Sequence, residues 1–272
     1  KTLFPYTTLF RSMTTDATTY TGTDLWLPRM CVANAVTTAT MSASTSATDY
    51  PALAARGPQT YTGWKPTAVT ATLLATLTGT FAVNYVGVYI LATGGCTFRP
   101  QYWNGSTYVN LGADITPATV GPLLWLFDSV NTSRIRLNVT GGSTMPIVAT
   151  MKAGTATVLP CGLPSGFRPS YLNPEDRLSN VFSEGGQILG SQLIASKAVE
   201  NISVENIDPA WVRTNWPDLR DSLRTEGVFW AWNADDYPDE MMYGGLTGTP
   251  TTEYMTTLFM RLSFSLEGPR VL

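Results

Sequence analysis

The chain has 272 residues, of which 14% are charged, and its formal net charge at pH 7 is −3. This length suffices for one large or two ordinary domains, whereas the few scattered basic residues exclude the clustered cationic face that nucleic-acid binding requires. The chain contains no histidine, which excludes Ser-His-Asp and Cys-His catalysis and every histidine-based metal site.

The pattern of residues favours a mainly all-β protein with two domains and one short helical region. Runs of Val, Ile, Leu, Thr, Tyr and Phe recur about every dozen residues and are separated by Gly and Pro pairs, which is typical of β-sandwiches. No window holds the roughly 18 consecutive apolar residues of a membrane span. We therefore expect no membrane span, and the motifs give no reason to expect a cofactor.

The first 24 residues lie outside both predicted domains. Residues Lys1–Ser12 precede Met13 and resemble the translated sequencing-adapter read-through at the start of many metagenomic reading frames. The alternative is a short targeting peptide, but this segment lacks the apolar core of about 7 to 15 residues found in signal peptides. Residues Thr14–Gly22 are rich in threonine, and we expect an extended segment that orders against a neighbouring subunit.

Residues 25–160 are predicted to form a β-sandwich. A first strand is expected where an apolar pattern begins at Leu25, and further strands are expected at Ala68–Leu77 and Phe81–Leu91. Four segments resemble the galactose-binding-like jelly roll that is common in phage tail proteins: Asp49–Ala52, Gly63–Pro66, Phe81–Leu91 and Ser133–Val139. In that fold the first segment precedes a short helix or loop, and the third crosses the centre of the sandwich.

The segment Tyr102–Tyr108 predicts a β-hairpin, because Asn104-Gly105 suits a type I′ turn. Tyr102, Trp103 and Tyr108 lie beside the expected turn and are the candidate carbohydrate-binding residues. Cross-strand packing within the hairpin is the alternative interpretation, and the sequence favours it.

The three cysteines, Cys31, Cys96 and Cys161, are far apart and form no CxxC motif, which argues against a metal knuckle. We interpret them as isolated buried thiols. One long-range disulfide with one free thiol is the alternative.

Residues 161–174, with the preceding Pro160, are rich in proline and glycine and are predicted to join the two domains. Residues 175–272 then form a second β-rich domain. Strand residues are expected at Ile188–Val204, with Glu200 and Glu205 facing solvent. A helix is predicted over residues 209–224, with Asp208 as its N-cap, Pro209 at its first position and an interruption at Pro217.

The segment Glu226–Gly245 is the richest in aromatic and acidic residues. We interpret four of its aromatic residues as core or subunit-interface residues, with a sugar-stacking platform as the alternative: Trp230, Trp232, Tyr237 and Tyr243. Its four carboxylates are interpreted as a solvated or interface-facing acidic turn whose Asp side chains bond the backbone, with metal binding and catalysis as less favoured alternatives: Asp235, Asp236, Asp239 and Glu240. No metal ligand is assigned.

Together with Met260–Gly268, this segment resembles the C-terminal part of tail and baseplate proteins of tailed bacteriophages. The resemblance implies a non-enzymatic virion protein of the tail tip, baseplate or fibre adaptor, made in the cytoplasm of the bacterial host. Its implied partners are other virion tail proteins and copies of itself in a cyclic homo-oligomer. The alternative function is a carbohydrate-binding module that recognises a host surface glycan, and a glycan-degrading enzyme ranks last.

Overall fold

The computed structural model describes residues 12–15 and 20–270, and the segment interpreted as adapter read-through lies outside them except for Ser12. The described chain forms two seven-stranded sheets and one α-helix, which confirms the mainly all-β prediction. The first sheet contains β1 Ser12–Thr15, β3 Thr40–Ala43, β4 Ala71–Ala92, β5 Thr97–Trp103, β6 Tyr108–Asn110, β7 Gly121–Thr140 and β8 Ile147–Gly154. The second contains β2 Arg29–Cys31, β9 Thr157–Val158, β10 Glu175–Phe182, β11 Ile188–Ile207, β12 Val228–Ala231, β13 Met241–Tyr254 and β14 Met260–Pro269.

Two long antiparallel strands, β4 and β7, build the sandwich. Their pairing shifts register between Thr76 and Phe81 and again between Val83 and Tyr85. Such irregularities bend a strand, and side chains from both halves of β4 enter one hydrophobic core. The two strands predicted at Ala68–Leu77 and Phe81–Leu91 are therefore a single bent strand. A 3₁₀ helix at Ala52–Arg56 follows the Tyr-Pro-Ala segment, as the jelly-roll resemblance implied.

The N-terminal segments divide between the two sheets. The described residues 12–15 of the expected N-terminal extension form β1, which pairs in parallel with β7 of the same molecule. The first predicted strand is present as β2, but it lies in the second sheet between β12 and β9. The second sheet thus includes strands from near both ends of the predicted sandwich region.

The helix α1 spans Pro209–Thr225 and crosses the second sheet. Asp208 accepts a hydrogen bond from the N–H of Ala210, which confirms the predicted N-cap. The predicted interruption at Pro217 is wrong, because the helix continues through it. Pro217 lies on the exposed face, and the opposite face is held in the core by Val212, Trp216, Leu219 and Leu223.

A shared hydrophobic layer joins the sandwich to the second sheet. The outward face of β4 contributes Tyr85 and Tyr89, and the second sheet contributes Phe229 and Tyr243. A Cβ atom built on Gly87 would lie 2.5 Å from Cδ2 of Phe229, so glycine is required for this close approach.

A buried lysine reinforces the same contact. Lys152 of β8 is fully buried, and its Nζ lies 2.8 Å from Oε2 of Glu226 and donates a hydrogen bond to the carbonyl of Gly227. Burial lowers the pKa of Lys152, and the Glu226 carboxylate opposes that shift. Losing either partner would leave an uncompensated charge at low solvent exposure, which is costly.

We expect Gly87→Ala to lower the free energy of unfolding by about 1 to 3 kcal/mol, because the added methyl group overpacks the shared layer against the Phe229 ring. Urea denaturation measures this change. Gly79→Ala is the matched control, because its Cβ atom would have its nearest neighbour at 3.7 Å. Equal stabilities for the two variants would contradict this description of the layer.

Candidate functional site

Two of the three candidate carbohydrate-binding residues come together on the outward face of the sandwich. Trp103 and Tyr108 are directly opposite each other in the β5–β6 register, and their ring centroids are 5.1 Å apart in an edge-to-face arrangement. Tyr102 points the other way and packs against the sandwich core. We call the surface around Trp103 and Tyr108 the outer aromatic face.

Two arginines of β7 accompany these rings. The Arg136 guanidinium carbon lies 3.8 Å from the centroid of the Tyr108 ring, and that of Arg134 lies 5.4 Å from the Trp103 ring. Arg136 also donates two hydrogen bonds to Oε1 of Gln101, at 2.9 and 2.6 Å. The face therefore combines aromatic surface with hydrogen-bond donors, although Arg136 covers part of the Tyr108 ring.

The turn of this hairpin differs from the predicted type I′ turn. Gly105 has a φ of 103°, whereas Asn104 is not among the residues with positive φ, and type I′ needs positive φ at both positions. Oδ1 of Asn104 instead accepts hydrogen bonds from the N–H groups of Ser106 and Thr107. The side chain thus closes a longer loop, as asparagine commonly does in turns.

The aromatic residues of Glu226–Gly245 do not form one platform. Trp230 is fully buried in the core beneath α1. Tyr243 is buried in the shared layer, and its hydroxyl donates to the carbonyl of Pro58. Both residues are thus buried within one molecule.

The other two aromatic residues of this segment lie at the surface. Trp232 stacks on Tyr237 with a centroid distance of 4.9 Å, and Tyr237 is half exposed. With Phe167 and Leu172 they line an open, largely apolar pocket of about 330 Å³. This pocket lies on residues 161–174, the segment predicted to join the domains. That segment packs against the core beneath α1.

The acidic turn is organised by an asparagine, and its predicted Asp-to-backbone hydrogen bonds are replaced. Oδ1 of Asn233 accepts hydrogen bonds from the N–H groups of Asp235 and Asp236, both of which are exposed. Burial raises the pKa of Asp239. Glu240 accepts a hydrogen bond from the Trp232 indole. Within the described part of the chain, no three His, Cys, Asp or Glu side chains are grouped to hold a metal ion.

Glu200 is buried, so the prediction that it faces solvent is wrong. It lies on the core-facing side of β11 and accepts hydrogen bonds from the N–H and hydroxyl of Ser170 and from the Trp230 indole, at 3.0, 2.7 and 2.6 Å. Ser170 lies 30 residues before Glu200 in sequence, and Trp230 lies 30 residues after it. Strand alternation with Ala198 and Ile202 was the only available signal, and it places Glu200 inside.

A large exposed apolar surface lies on a hairpin that the sequence did not indicate as a site. We call residues 175–196 the hairpin arm. Among the described residues, β10 pairs only with β11, and β11 first pairs with β14 at Lys197. The arm therefore extends beyond the body of the sheet as a two-stranded ribbon. Its exposed large apolar side chains are Leu178, Val181, Phe182, Ile188, Leu189, Leu193 and Ile194.

Three solved structures that resemble this chain each cover less than half of it. No protein-family model and no curated protein matches the chain. The family 32 carbohydrate-binding module of C. perfringens NanJ, solved with galactose, is 15% identical over 48% of this chain and all of its own, with a TM-score of 0.41. Chitosan-binding module 1 of a Paenibacillus sp. IK-5 chitosanase/glucanase is 16% identical over 45% of this chain and 99% of its own, with a TM-score of 0.41.

A GH29 fucosidase from Ruminococcus gnavus is 15% identical over 46% of this chain, with a TM-score of 0.39. This chain spans 27% of that fucosidase. Among the described residues, no helix is long and apolar enough to cross a membrane.

The three cysteines are free thiols, so the disulfide alternative is not realised. Cys31 and Cys96 are buried and Cys161 is partly exposed. Burial raises the pKa of Cys31 to about 12. Its thiol is therefore protonated and shielded at neutral pH, which does not suit a nucleophile.

We expect Cys31 to make the folded state lose stability at alkaline pH. An unfolded thiol releases its proton near pH 8.5, whereas folded Cys31 keeps its proton to about pH 12. The contribution of Cys31 to the free energy of unfolding is therefore fully present below about pH 8.5. Above that pH the free energy of unfolding falls by up to about 1.4 kcal/mol per pH unit, because only the unfolded thiol loses its proton. Urea denaturation of the native chain and Cys31→Val at pH 7.0, 8.5 and 9.5 tests this, and the variant should show the shallower loss. An equal loss of stability with rising pH in the native chain and in Cys31→Val would contradict a buried, protonated thiol at Cys31.

Proposed function

We propose that this protein is a non-catalytic assembly protein whose β-rich body presents the hairpin arm to neighbouring proteins. The observation that carries the proposal is the unpartnered arm with seven exposed Leu, Ile, Val and Phe side chains. A lone two-stranded hairpin is at best marginally stable in water. These side chains are 46% to 70% exposed, and a protein partner that covers them would remove their remaining apolar area from water at about 25 cal/mol per Å².

The place of assembly is suggested by the resemblance of Glu226–Gly245 and Met260–Gly268 to phage tail and baseplate proteins. We propose the tail tip, baseplate or fibre adaptor of a virion as the place of assembly. The low charge of the chain supports broad protein contacts there, because charged residues are depleted in interface cores.

Cryo-electron microscopy of the intact particle, together with a polar arm variant, tests this function. We expect density for the arm beneath a neighbouring protein. A variant with Phe182→Ser and Ile188→Ser should fold normally, because both side chains are exposed, but its incorporation into particles should fall at least tenfold. Tyr61→Ser is the matched control, since Tyr61 is 82% exposed and lies outside the arm. Absence of the protein from particles, or normal incorporation of the arm variant, would contradict an assembly role.

A second candidate function is glycan binding at the outer aromatic face. The adjacent Trp103 and Tyr108 rings offer apolar stacking surface, and the nearby Arg134 guanidinium offers hydrogen-bond donors to hydroxyl groups. Aromatic surface beside a polar group that can fix orientation is typical of ligand sites.

Glycan-array screening followed by calorimetry tests this second function. If the native chain binds a glycan, we expect Trp103→Ala and Tyr108→Ala each to weaken binding at least tenfold. Tyr61→Ala serves as the control, because it removes an exposed ring elsewhere. Absence of glycan binding by the native chain, or equal affinity of the Trp103 variant, would exclude this face as the site.

A further inference from the structure

We propose that the hairpin arm of one molecule packs on the opposite end of the second sheet in another copy of this chain, so that copies join head to tail. This inference rests on the proposed assembly function and names the partner of the arm. The receiving surface is the turn between β13 and β14, residues 254–259, which we call the tip turn. Its exposed apolar side chains are Tyr254, Met255, Leu258 and Phe259.

Four of the seven exposed apolar side chains of the arm lie on one face. In the β10–β11 register, Leu178 lies opposite Leu193 and Phe182 lies opposite Ile188. Directly opposed residues project to the same side of a sheet. The pairing shifts register between Val181 and Phe182, but the extra residue, Leu189, lies on β11, so residues 178 and 182 of β10 keep the period-two alternation and project to the same side. These four side chains are 46% to 70% exposed and form the docking face of the arm.

The two surfaces lie at opposite ends of one sheet. In the β11–β14 pair, Lys197 is opposite Pro269 and Ile207 is opposite Met260. The arm continues beyond the first of these pairs, and the tip turn immediately precedes the second. Ten residues of strand separate the two ends by about 33 Å. One molecule therefore cannot bring both surfaces together without breaking the sheet, but two copies can.

The charges favour an uncharged apolar partner such as a second copy. Between Leu178 and Ser196 the only charged residue is Glu184, which lies in the turn of the arm. The tip turn has no charged residue. The nearest charges in sequence, Glu253 and Arg261, form an ion pair at 2.8 Å. Arg213 of α1 also reaches the tip turn, where it donates a hydrogen bond to the Tyr254 hydroxyl and its guanidinium carbon lies 5.9 Å from the centroid of that ring. Docking the arm on Met255, Leu258 and Phe259 would bury no carboxylate and would leave Arg213 hydrogen-bonded to Tyr254, which limits the cost of desolvating its charge.

The area is that of a weak, reversible contact. Eight side chains, each about half exposed, would remove on the order of 500 Å² of apolar surface from water. About 60% of an interface is apolar, so the whole contact would bury about 800 Å², below the roughly 1,200 Å² of a standard interface. Contacts between different surfaces can repeat and close into a ring, and ring closure strengthens weak contacts through effective concentration.

Analytical ultracentrifugation of the full chain over a range of concentrations tests the inference. The native chain should form concentration-dependent oligomers. An arm variant with Phe182→Ser and Ile188→Ser and a tip variant with Leu258→Ser and Phe259→Ser should each associate at least tenfold more weakly. An equimolar mixture of the two variants should form a heterodimer, because one keeps a native tip turn and the other keeps a native arm. Tyr61→Ser is the control and should assemble like the native chain.

Three results would overturn the inference. A tip variant that assembles like the native chain would show arm-to-arm contact. A mixture that stays monomeric would exclude complementary surfaces. A native chain that is monomeric at every concentration would exclude a second copy as partner, while the proposed assembly function would still be decided by incorporation of the arm variant into particles. If a double variant fails to fold, as judged by circular dichroism, the single variants Leu193→Ser and Leu258→Ser replace it and give the same comparisons.

Discussion

The second half of β4 is covered on both faces, and the rest of the structure depends on this constraint. Its inner face packs in the sandwich core, and its outer face packs against Phe229 and Tyr243 of the second sheet. Gly87 permits the close approach of the two layers, and buried Lys152 ties the sandwich to the residues that follow α1. Because interiors are densely packed, these contacts fix how the sandwich lies on the second sheet.

Buried Glu200 of the second sheet has a similar effect. It links β11, β12 and the segment predicted to join the domains, through the donors Ser170 and Trp230. A buried carboxylate is tolerated only when hydrogen bonds replace its hydration. The segment that the sequence predicts as a domain junction is thereby held against the core beneath α1.

Three exposed surfaces lie outside these cores: the outer aromatic face, the hairpin arm and the tip turn. The outer aromatic face is small, and its arginines already engage its rings. The hairpin arm and the tip turn expose more apolar side chains and lie at opposite ends of one sheet. The tip turn has no charged residue, and Glu184 is the only one between Leu178 and Ser196 of the arm. Exposed apolar patches of this kind commonly mark protein contacts, which is the physical basis of the proposed assembly function.

The sequence alone determined the local features of this protein. Recurring runs of strand-favouring residues between Gly and Pro pairs predicted the all-β class, and the cap of α1 followed from Asp208 and Pro209, because these signals act over a few residues. Only the tertiary structure decided the rest. Burial carries the helix through Pro217, donors 30 residues away allow Glu200 to lie inside, and strand alternation separates Tyr102 from Trp103 and Tyr108. The exposure of the arm was decided in the same way, since its residues resemble any half-buried strand in sequence and only the absence of a covering layer among the described residues distinguishes them.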